Sequence, residues 1–127
     1  MRKKKGDLGE SEWALMKICW EKGKVSAKDV YVESLKERKR SYQTVKTIMD
    51  RLVEKDYLDR EKFGPIWLYT PKVSQKDITS RAIDDFMKTV LGDTIAPIFS
   101  HFVKKKKKYK IDIDELKKVI EEMDEEE

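Results

Sequence analysis

The chain has 127 residues, of which 43% are charged and 39% hydrophobic. This length suffices for one compact domain, or for a small domain with an assembly segment, and it excludes two large cores. No apolar run approaches the roughly 18 residues that cross a bilayer, and the basic start MRKKKGDLGE is not followed by the apolar stretch of a signal peptide. We therefore expect a cytoplasmic protein without a membrane partner.

The net charge of +4 is unevenly distributed along the chain. Residues 1–71 contain 17 Lys and Arg against 12 Asp and Glu, whereas residues 72–127 contain 12 against 13. The amino-terminal part is therefore the one that we expect to bind an anionic partner.

The first predicted helix runs from about Glu10 to Trp20, with Gly9 as its cap and Gly23 as the residue that stops it. It is expected to bury Trp13, Met16 and Trp20 on one side.

Three further helix starts share one pattern. In the segments VSAKDV, VSQKDI and IDIDEL, an apolar residue precedes a Ser or Asp cap, and an acid follows the cap three positions later. The caps are Ser26, Ser74 and Asp112. The helix that starts at Ser26 is predicted to run to about Arg38 and to bury Val30 and Leu35.

The stretch SYQTVKTIMDRL predicts an amphipathic third helix over residues 41–55, capped by Ser41. Its apolar side consists of Val45, Ile48, Met49 and Leu52. After Asp56 the hydrophobic period changes to two, and the runs YLDRE and IWLYT are joined by KFGP, whose Gly-Pro supplies a turn. The sequence therefore predicts three helices followed by a β-hairpin that ends at Pro71.

This order of elements is that of a winged helix, in which the helix before the hairpin is presented to double-stranded DNA. The third helix carries uncharged donors and a lysine at its amino end and acids at its far end. Entering the major groove by its amino end, it would bring Gln43, Lys46 and Thr47 to base edges. The other residues expected at the duplex are Ser41, Tyr42 and Thr44 on the helix and Arg60, Lys62 and Gly64 on the hairpin.

Two points stay open in this interpretation. An ordinary solvated helix face also shows Gln, Lys and Thr, so the polar face favours DNA only together with the cationic hairpin. Arg51 lies near the flank of the third helix, where we expect either a phosphate contact or an ion pair with an acid of the first helix such as Glu12.

The segments EWALMKICW, VSAKDV, SYQTVKTIMDRLVEKDYL and IWLYTP resemble the penicillinase, methicillin-resistance and copper-transport repressors, and the resemblance covers almost the whole chain. It implies a homodimeric winged-helix repressor that binds inverted repeats in promoters, with Thr44, Lys46 and Thr47 at groove-facing positions. Two residues depart from the family pattern: Gly9 stands where a hydroxyl cap is usual, and Asp56 stands where Gly is usual. Both are tolerable, since Gly is a fair N-cap and Asp adopts left-handed geometry better than most residues.

Residues 73–127 are predicted to form a helical dimerisation domain behind a DNA-binding domain of residues 1–72. Their apolar residues recur at helical spacing, but a short three-helix tail offers too little surface to bury them. Given the resemblance, we expect a self-complementary dimer interface rather than packing back onto the winged domain. The interface is predicted to contain Ile78, Ala82, Phe86, Val90, Ile95, Ile98, Phe99, Phe102, Leu116 and Ile120.

In the β-lactam-resistance regulators that the chain resembles, cleavage just before a Phe in the dimerisation segment inactivates the repressor. The corresponding bond here joins His101 to Phe102, whereas the best-known cut of the family follows Asn. The resemblance therefore implies a regulatory protease as a partner. The copper-sensing branch carries a carboxy-terminal cysteine pair, which the tail EEMDEEE lacks, so copper sensing through that motif is not expected.

No catalytic or metal site is predicted. The single His101 and the single Cys19 lie far apart among apolar residues and are interpreted as packing residues, so we expect no enzyme, no metal and no other cofactor. Two alternatives to a DNA-binding repressor remain: a winged-helix module that binds a protein through the same polar face, and a regulator that senses a small ligand in a pocket.

Overall fold

The computed structural model describes residues 7–105 and 113–126. The elements are α1 (Glu10–Lys22), β1 (Val25–Ser26), α2 (Ala27–Ser34), α3 (Tyr42–Glu54), β2 (Leu58–Phe63), β3 (Ile66–Pro71), α4 (Gln75–Thr89), α5 (Ala96–Lys104) and α6 (Ile113–Glu126). The chain divides into two compact units, up to Ile83 and from Asp84 onwards, and the division falls inside α4. The first unit has the predicted winged-helix order of three helices and a hairpin.

The core of the first unit lies between the three helices and the sheet. All four apolar residues predicted on the third helix are buried, which confirms the orientation expected for that helix. They pack with side chains from every other element of the unit: Leu15, Met16, Ile18, Cys19, Val25, Ala27, Val30, Tyr57, Leu58, Tyr69 and Ile78. Because α3 buries this stripe, its opposite side must point to solvent.

Three of the predicted helix caps are confirmed. In each, the side-chain oxygen of the cap accepts a hydrogen bond of 3.1 Å from the backbone N–H three residues later, which satisfies a group that the helix itself cannot pair. The cap and donor pairs are Ser26–Asp29, Ser41–Thr44 and Ser74–Asp77. Gly9 is the N-cap of α1, as predicted, and the remaining predicted cap, Asp112, lies outside the described residues.

The second helix ends earlier than predicted, at Ser34 rather than Arg38. The chain tightens after Ser34 into turns in which the N–H of Leu35 donates to the carbonyl of Val32 at 3.3 Å. The guanidinium of Arg40 donates to the carbonyl of Ser34 at 3.4 Å and so occupies an acceptor at the helix end. Leu35, which was expected to be buried, is therefore 40% exposed.

The tryptophans of α1 lie at the rim of the core rather than inside it. Trp13 and Trp20 are only partly buried, and their ring centroids are 6.1 Å apart. The indole Nε1 of Trp20 donates to the carbonyl of Val73 at 2.9 Å. This bond ties α1 to the segment that follows the hairpin, and the polar tip explains why the ring stays at the edge.

The hairpin belongs to a three-stranded antiparallel sheet in the order β1, β3, β2. The strand β1 has only two residues and was not predicted; it pairs Val25 with Tyr69 across from β3. The two-residue turn Gly64–Pro65 joins β2 to β3, and Gly64 has a φ of +60°. A positive φ at the first central position suits Gly, because a Cβ there is strained.

The second unit contains the rest of α4 together with α5 and α6. Gly92, with a φ of +58°, follows the end of α4 and marks the predicted stop. Large apolar side chains of this unit remain exposed in the described part of the chain: Phe86, Val90, Ile95, Phe99, Val103, Val119 and Ile120. Among the described residues, no helix combines the length and the apolar character that a bilayer span requires.

A buried ion pair joins the start of α1 to the end of α3. Glu12 is only 6% exposed, and its carboxylate accepts from the N–H of Gly9 at 2.9 Å. The ammonium of Lys55 lies 2.9 Å from the same carboxylate. Glu12, the acid named as one possible partner of Arg51, thus pairs with Lys55 instead.

We predict that Lys55→Met destabilises the protein by about 2 kcal/mol, because the carboxylate of Glu12 would stay buried without its counter-ion. Urea unfolding measures the loss. The matched control is Lys36→Met, which removes an exposed ammonium 3.1 Å from Glu33 and should cost less than about 0.5 kcal/mol. Equal losses in the two variants would contradict the structural role of the Lys55 pair.

Candidate nucleic-acid interface

The outer side of α3 presents a short polar surface. Ser41, Gln43, Thr44 and Thr47 are all exposed there. The amide of Gln43 lies 3.5 Å from the hydroxyl of Thr47, while the hydroxyl of Ser41 donates to that of Thr44 at 2.9 Å. This surface carries neutral donors and acceptors, which are the groups that read base edges in a major groove.

Tyr42 completes the amino end of this surface. It is 44% exposed, and its ring meets that of Tyr31 on α2 edge to face, with the centroids 5.9 Å apart. The contact fixes the ring against the preceding helix, so that its remaining exposed surface faces solvent beside Ser41.

Lys46 is not a free cation in this structure. Its ammonium lies 2.8 Å from the carboxylate of Asp50, one turn along the same helix, and 2.8 Å from the hydroxyl of Tyr69 on β3. The predicted role at base edges therefore has to compete with two intramolecular partners.

Asp50 also holds a cation of the wing. Its carboxylate accepts from the guanidinium of Arg60 on β2 at 2.9 Å and from the hydroxyl of Tyr69 at 2.7 Å. We refer to Lys46, Asp50, Arg60 and Tyr69 as the Asp50 cluster. One carboxylate thus joins α3 to both strands of the hairpin.

The cluster shifts the pKa of its members. Burial by itself would raise the pKa of Asp50, but hydrogen bonds from Lys46 and Tyr69 and the nearby positive charges outweigh it and hold that pKa below its ordinary value. For Lys46, burial acts to lower the pKa, and the bonds to Asp50 and Tyr69 outweigh it and raise the pKa. Burial raises the pKa of Tyr69, so its hydroxyl stays protonated and donates. Near neutral pH the cluster therefore contains one carboxylate between two cations, together with a neutral phenol.

The hairpin has a cationic side and an apolar tip. The guanidinium of Arg60 lies 4.7 Å from the ring centroid of Trp67, and the ammonium of Lys62 lies 5.9 Å from it. Phe63, which precedes the turn at Gly64, is 69% exposed. The two cations and the glycine that were predicted for the wing are thus on its surface.

Arg51 is exposed near the far end of α3. Since Lys55 pairs with Glu12, the remaining sequence prediction for Arg51 is a phosphate contact.

A cleft of about 570 Å³ lies between the starts of α2 and α3 and the hairpin. Aromatic residues form much of its wall, namely Tyr31, Tyr42 and Trp67, and Lys46 borders it. Because Tyr42 and Lys46 also belong to the polar side of α3, a molecule in this cleft and a DNA duplex on that side would compete.

The residues predicted for dimerisation divide into two groups. Ile78 is 4% exposed and packs in the core of the first unit, so its burial requires no partner chain and its place in an interface is not supported. The side chain of Leu116 lies outside the described part. The others are exposed or half-buried: Ala82, Phe86, Val90, Ile95, Ile98, Phe99, Phe102 and Ile120.

His101 and Phe102 lie within α5, and their rings meet edge to face with the centroids 6.2 Å apart. Together with Phe86, Leu91, Pro97 and Ile98 they line a hollow of about 410 Å³ in the second unit. Cys19 is fully buried, and desolvation raises the pKa of its thiol to about 12. Over residues 7–105 and 113–126, no group of three His, Cys, Asp or Glu side chains is placed to hold a metal ion.

The central part of the site was not predicted from the sequence. The spacing of Lys46 and Asp50, four residues apart on one helix, is a signal for an ion pair. No sequence signal places Tyr69 or Arg60 beside that pair, because their position depends on the strand register, in which Arg60 lies opposite Tyr69. On the wing, Arg60 and Lys62 both lie over the ring of Trp67.

The first unit consists of three helices followed by a hairpin, and the polar side of the third helix lies beside the cationic wing. This arrangement defines a winged-helix DNA-binding fold. The sequence model of the penicillinase repressor family matches residues 8–122, so the chain belongs to the penicillinase repressor family, a family of transcriptional repressors.

Similar proteins cover nearly the whole chain. The penicillinase repressor of Staphylococcus aureus is 27% identical over 97% of this chain and 98% of its own length. The methicillin resistance regulatory protein MecI of Mammaliicoccus sciuri is 28% identical over 94% of this chain and 98% of its own length. The family resemblance inferred from the sequence is thus confirmed.

Two solved structures resemble the first part of the chain. The solution structure of the DNA-binding domain of the repressor BlaI has a TM-score of 0.53 at 28% identity, covering 61% of this chain and 93% of that chain. The monomeric form of Bacillus licheniformis BlaI in complex with the blaP half-operator has a TM-score of 0.50 at 28% identity, covering 58% of this chain and 90% of that chain.

We predict that the Asp50 cluster stabilises the protein above the ordinary aspartate pKa of 3.8 and loses this contribution as the pH falls through the lowered pKa. Asp50→Asn removes the titrating group. The difference in urea unfolding midpoint between the wild type and this variant should be constant above about pH 5 and should shrink towards about pH 2. A difference that stays constant down to the lowest pH would show that the carboxylate charge contributes nothing to the cluster.

Proposed function

We propose that this protein is a homodimeric transcriptional repressor that binds inverted-repeat operator DNA in the cytoplasm, with α3 in the major groove. The observation that carries the proposal is the exposed polar face of α3 beside a cationic hairpin in one winged-helix unit. The solved BlaI complex with a half-operator, which has the same fold, supports it.

Gln43 and Thr47 are the proposed base readers. Both are exposed, neutral and able to donate and accept, and the buried stripe of α3 fixes the side of the helix on which they lie. Ser41, Thr44 and Arg51 are proposed to contact phosphates on either side of them, and Lys46 lies beside the readers but is paired with Asp50. The amino end of α3 adds a partial positive charge that favours phosphate.

The hairpin is the proposed second contact. Lys62 and Arg60 provide positive charge, and the backbone at Gly64 can approach a phosphate closely because no side chain intervenes. These contacts would add affinity without reading sequence, and salt would weaken them.

The second unit is proposed to dimerise the protein. Its exposed apolar side chains at helical spacing on α4 and α5, among them Phe86, Val90 and Phe99, support an interface between two copies. A two-fold dimer would present two copies of α3 to two half-sites, and the discrimination of the half-sites would add.

Cleavage between His101 and Phe102 by a regulatory protease is the proposed release mechanism. The bond lies inside α5, so α5 would have to unwind locally before a protease could bind it. The cut would separate α6 from α4 and divide the proposed interface, which lowers dimer affinity and with it operator occupancy. Mass spectrometry of the protein from induced cells of its own host measures this, and an intact chain after induction would contradict it.

We predict that selection from a random duplex pool recovers an inverted repeat with half-sites about one helical turn apart. The combined variant Gln43→Ala and Thr47→Ala should lose this sequence preference, because the proposed base contacts are gone. Lys62→Ala should instead weaken all duplexes about equally, since it removes only a phosphate contact. If the double variant still selects the same repeat, α3 does not read it.

We predict that Phe99→Glu lowers dimer affinity at least tenfold, because it places a charge in the apolar interface. Sedimentation equilibrium measures the change. The control is Ser100→Glu, which adds the same charge at the next, exposed position on another side of α5 and should leave the dimer intact. If the two variants change the dimer affinity equally, Phe99 does not lie in the interface and α5 does not take part in it as proposed.

A further inference from the structure

Lys46 on α3 and Arg60 on the wing share one carboxylate, that of Asp50. Asp50 lies 2.8 Å from the ammonium of Lys46 and 2.9 Å from the guanidinium of Arg60. The side chains are 24%, 36% and 37% exposed for Lys46, Asp50 and Arg60, so the ion pairs border the solvent on the surface proposed to face DNA.

Asp50 already occupies donors of both cations and offsets part of their charge, so a phosphate that binds either cation competes with this carboxylate. The affinity of a protein for any duplex depends strongly on how many of its Lys and Arg neutralise phosphates, because each contact releases counter-ions. A cation that keeps an internal carboxylate partner releases none. Asp50 therefore lowers the part of the DNA affinity that depends on charge alone.

Tyr69 makes this arrangement persistent. Its ring is fully buried in the core, while its hydroxyl donates to Asp50 at 2.7 Å and contacts Lys46 at 2.8 Å. The carboxylate is thus anchored on a rigid element of the sheet rather than on the mobile end of a surface side chain.

We infer that Asp50 is a specificity-determining residue, which keeps Lys46 and Arg60 paired within the chain on a mismatched duplex and so weakens binding to non-operator DNA. The inference rests on the proposed function of α3 as the reading helix. On a matched operator, the contacts of Gln43 and Thr47 bring the helix close enough for DNA acceptors to draw Lys46 away from Asp50. Asp50 therefore weakens binding to the operator less than it weakens binding to other DNA.

A purely structural role of Asp50 predicts a different change in DNA affinity when the carboxylate is removed. If the carboxylate only tied α3 to the hairpin, its removal would loosen the site and weaken binding to every duplex. If it competes with phosphate, its removal must strengthen binding to non-operator DNA and increase the salt dependence of that binding.

The test compares Asp50→Asn with Glu54→Gln in the full-length protein. Both changes remove one negative charge from α3, but no ion pair involves Glu54 within the portion of the chain that the structure describes. Fluorescence anisotropy with a scrambled duplex and with the selected operator, from 50 to 300 mM salt, gives the affinities and the salt slopes.

For Asp50→Asn we expect scrambled-duplex affinity to rise on the order of tenfold and the salt slope to steepen by about 1 to 2, the contribution of one or two released cations. The operator affinity should rise less, so that the ratio of the two affinities falls. Glu54→Gln should leave the slope unchanged. Equal slopes for the two variants, or weaker binding by Asp50→Asn to both duplexes, would overturn the inference.

Two further variants keep the test decisive. Asp50→Ala removes the same carboxylate with a better helix former, and it replaces Asp50→Asn if the latter does not fold. Adding Arg60→Gln to Asp50→Asn should reduce the gain in slope by about 1, because one of the two released cations is gone. If the double variant has the same salt slope as Asp50→Asn alone, Arg60 is not one of the cations that Asp50 keeps from phosphate.

Failure of the inference can be told from failure of the proposed function. If wild-type protein selects no repeat from a random pool, the reading role of α3 is lost, and the inference is lost with it. If the wild type selects an operator and Asp50→Asn behaves as Glu54→Gln does, only the role of Asp50 is refuted.

Discussion

The rest of the candidate site depends on one buried phenol. The ring of Tyr69 is packed among helices and strands, and its hydroxyl reaches the boundary of the core, where it meets Asp50 and Lys46. A polar group at that depth needs partners, because an unpaired hydroxyl in the core is costly. The position of the sheet therefore determines where Asp50 must lie, and through Asp50 it sets the relation between α3 and the wing. The hydroxyl of Tyr69 thus fixes the polar face of α3 from the core side, through its contacts with Asp50 and Lys46.

This arrangement changes how the basic character of the protein should be understood. The surplus of positive charge in the first part of the chain is typical of a protein that binds an anion. One carboxylate, that of Asp50, nevertheless offsets part of the charge of two of these cations, Lys46 and Arg60. The remaining uncompensated positive charge on the wing, Lys62, lies next to an aromatic ring and an exposed apolar tip. Under the proposed function, affinity and selectivity for DNA would thus depend on different parts of one surface.

Much of the fold could be predicted from the sequence, because the local signals agreed with one another. The caps at Ser26, Ser41 and Ser74 and the buried stripe of α3 are local features, and each was found where expected. The early end of α2 and the burial of Ile78 were missed because both are decided by tertiary packing. The Asp50 cluster could not be predicted in full, since it combines a helix spacing with a strand register that no short segment encodes.

Cys19 gives the protein a practical property. Its side chain is fully buried in the core, and this burial raises the pKa of the thiol to about 12, so the protonated form dominates at pH 7. Since the thiolate is the reactive form, reagents that modify thiols should ignore this residue in the folded chain. Cysteines introduced on the wing or on the second unit could then carry fluorophores or spin labels without first replacing Cys19.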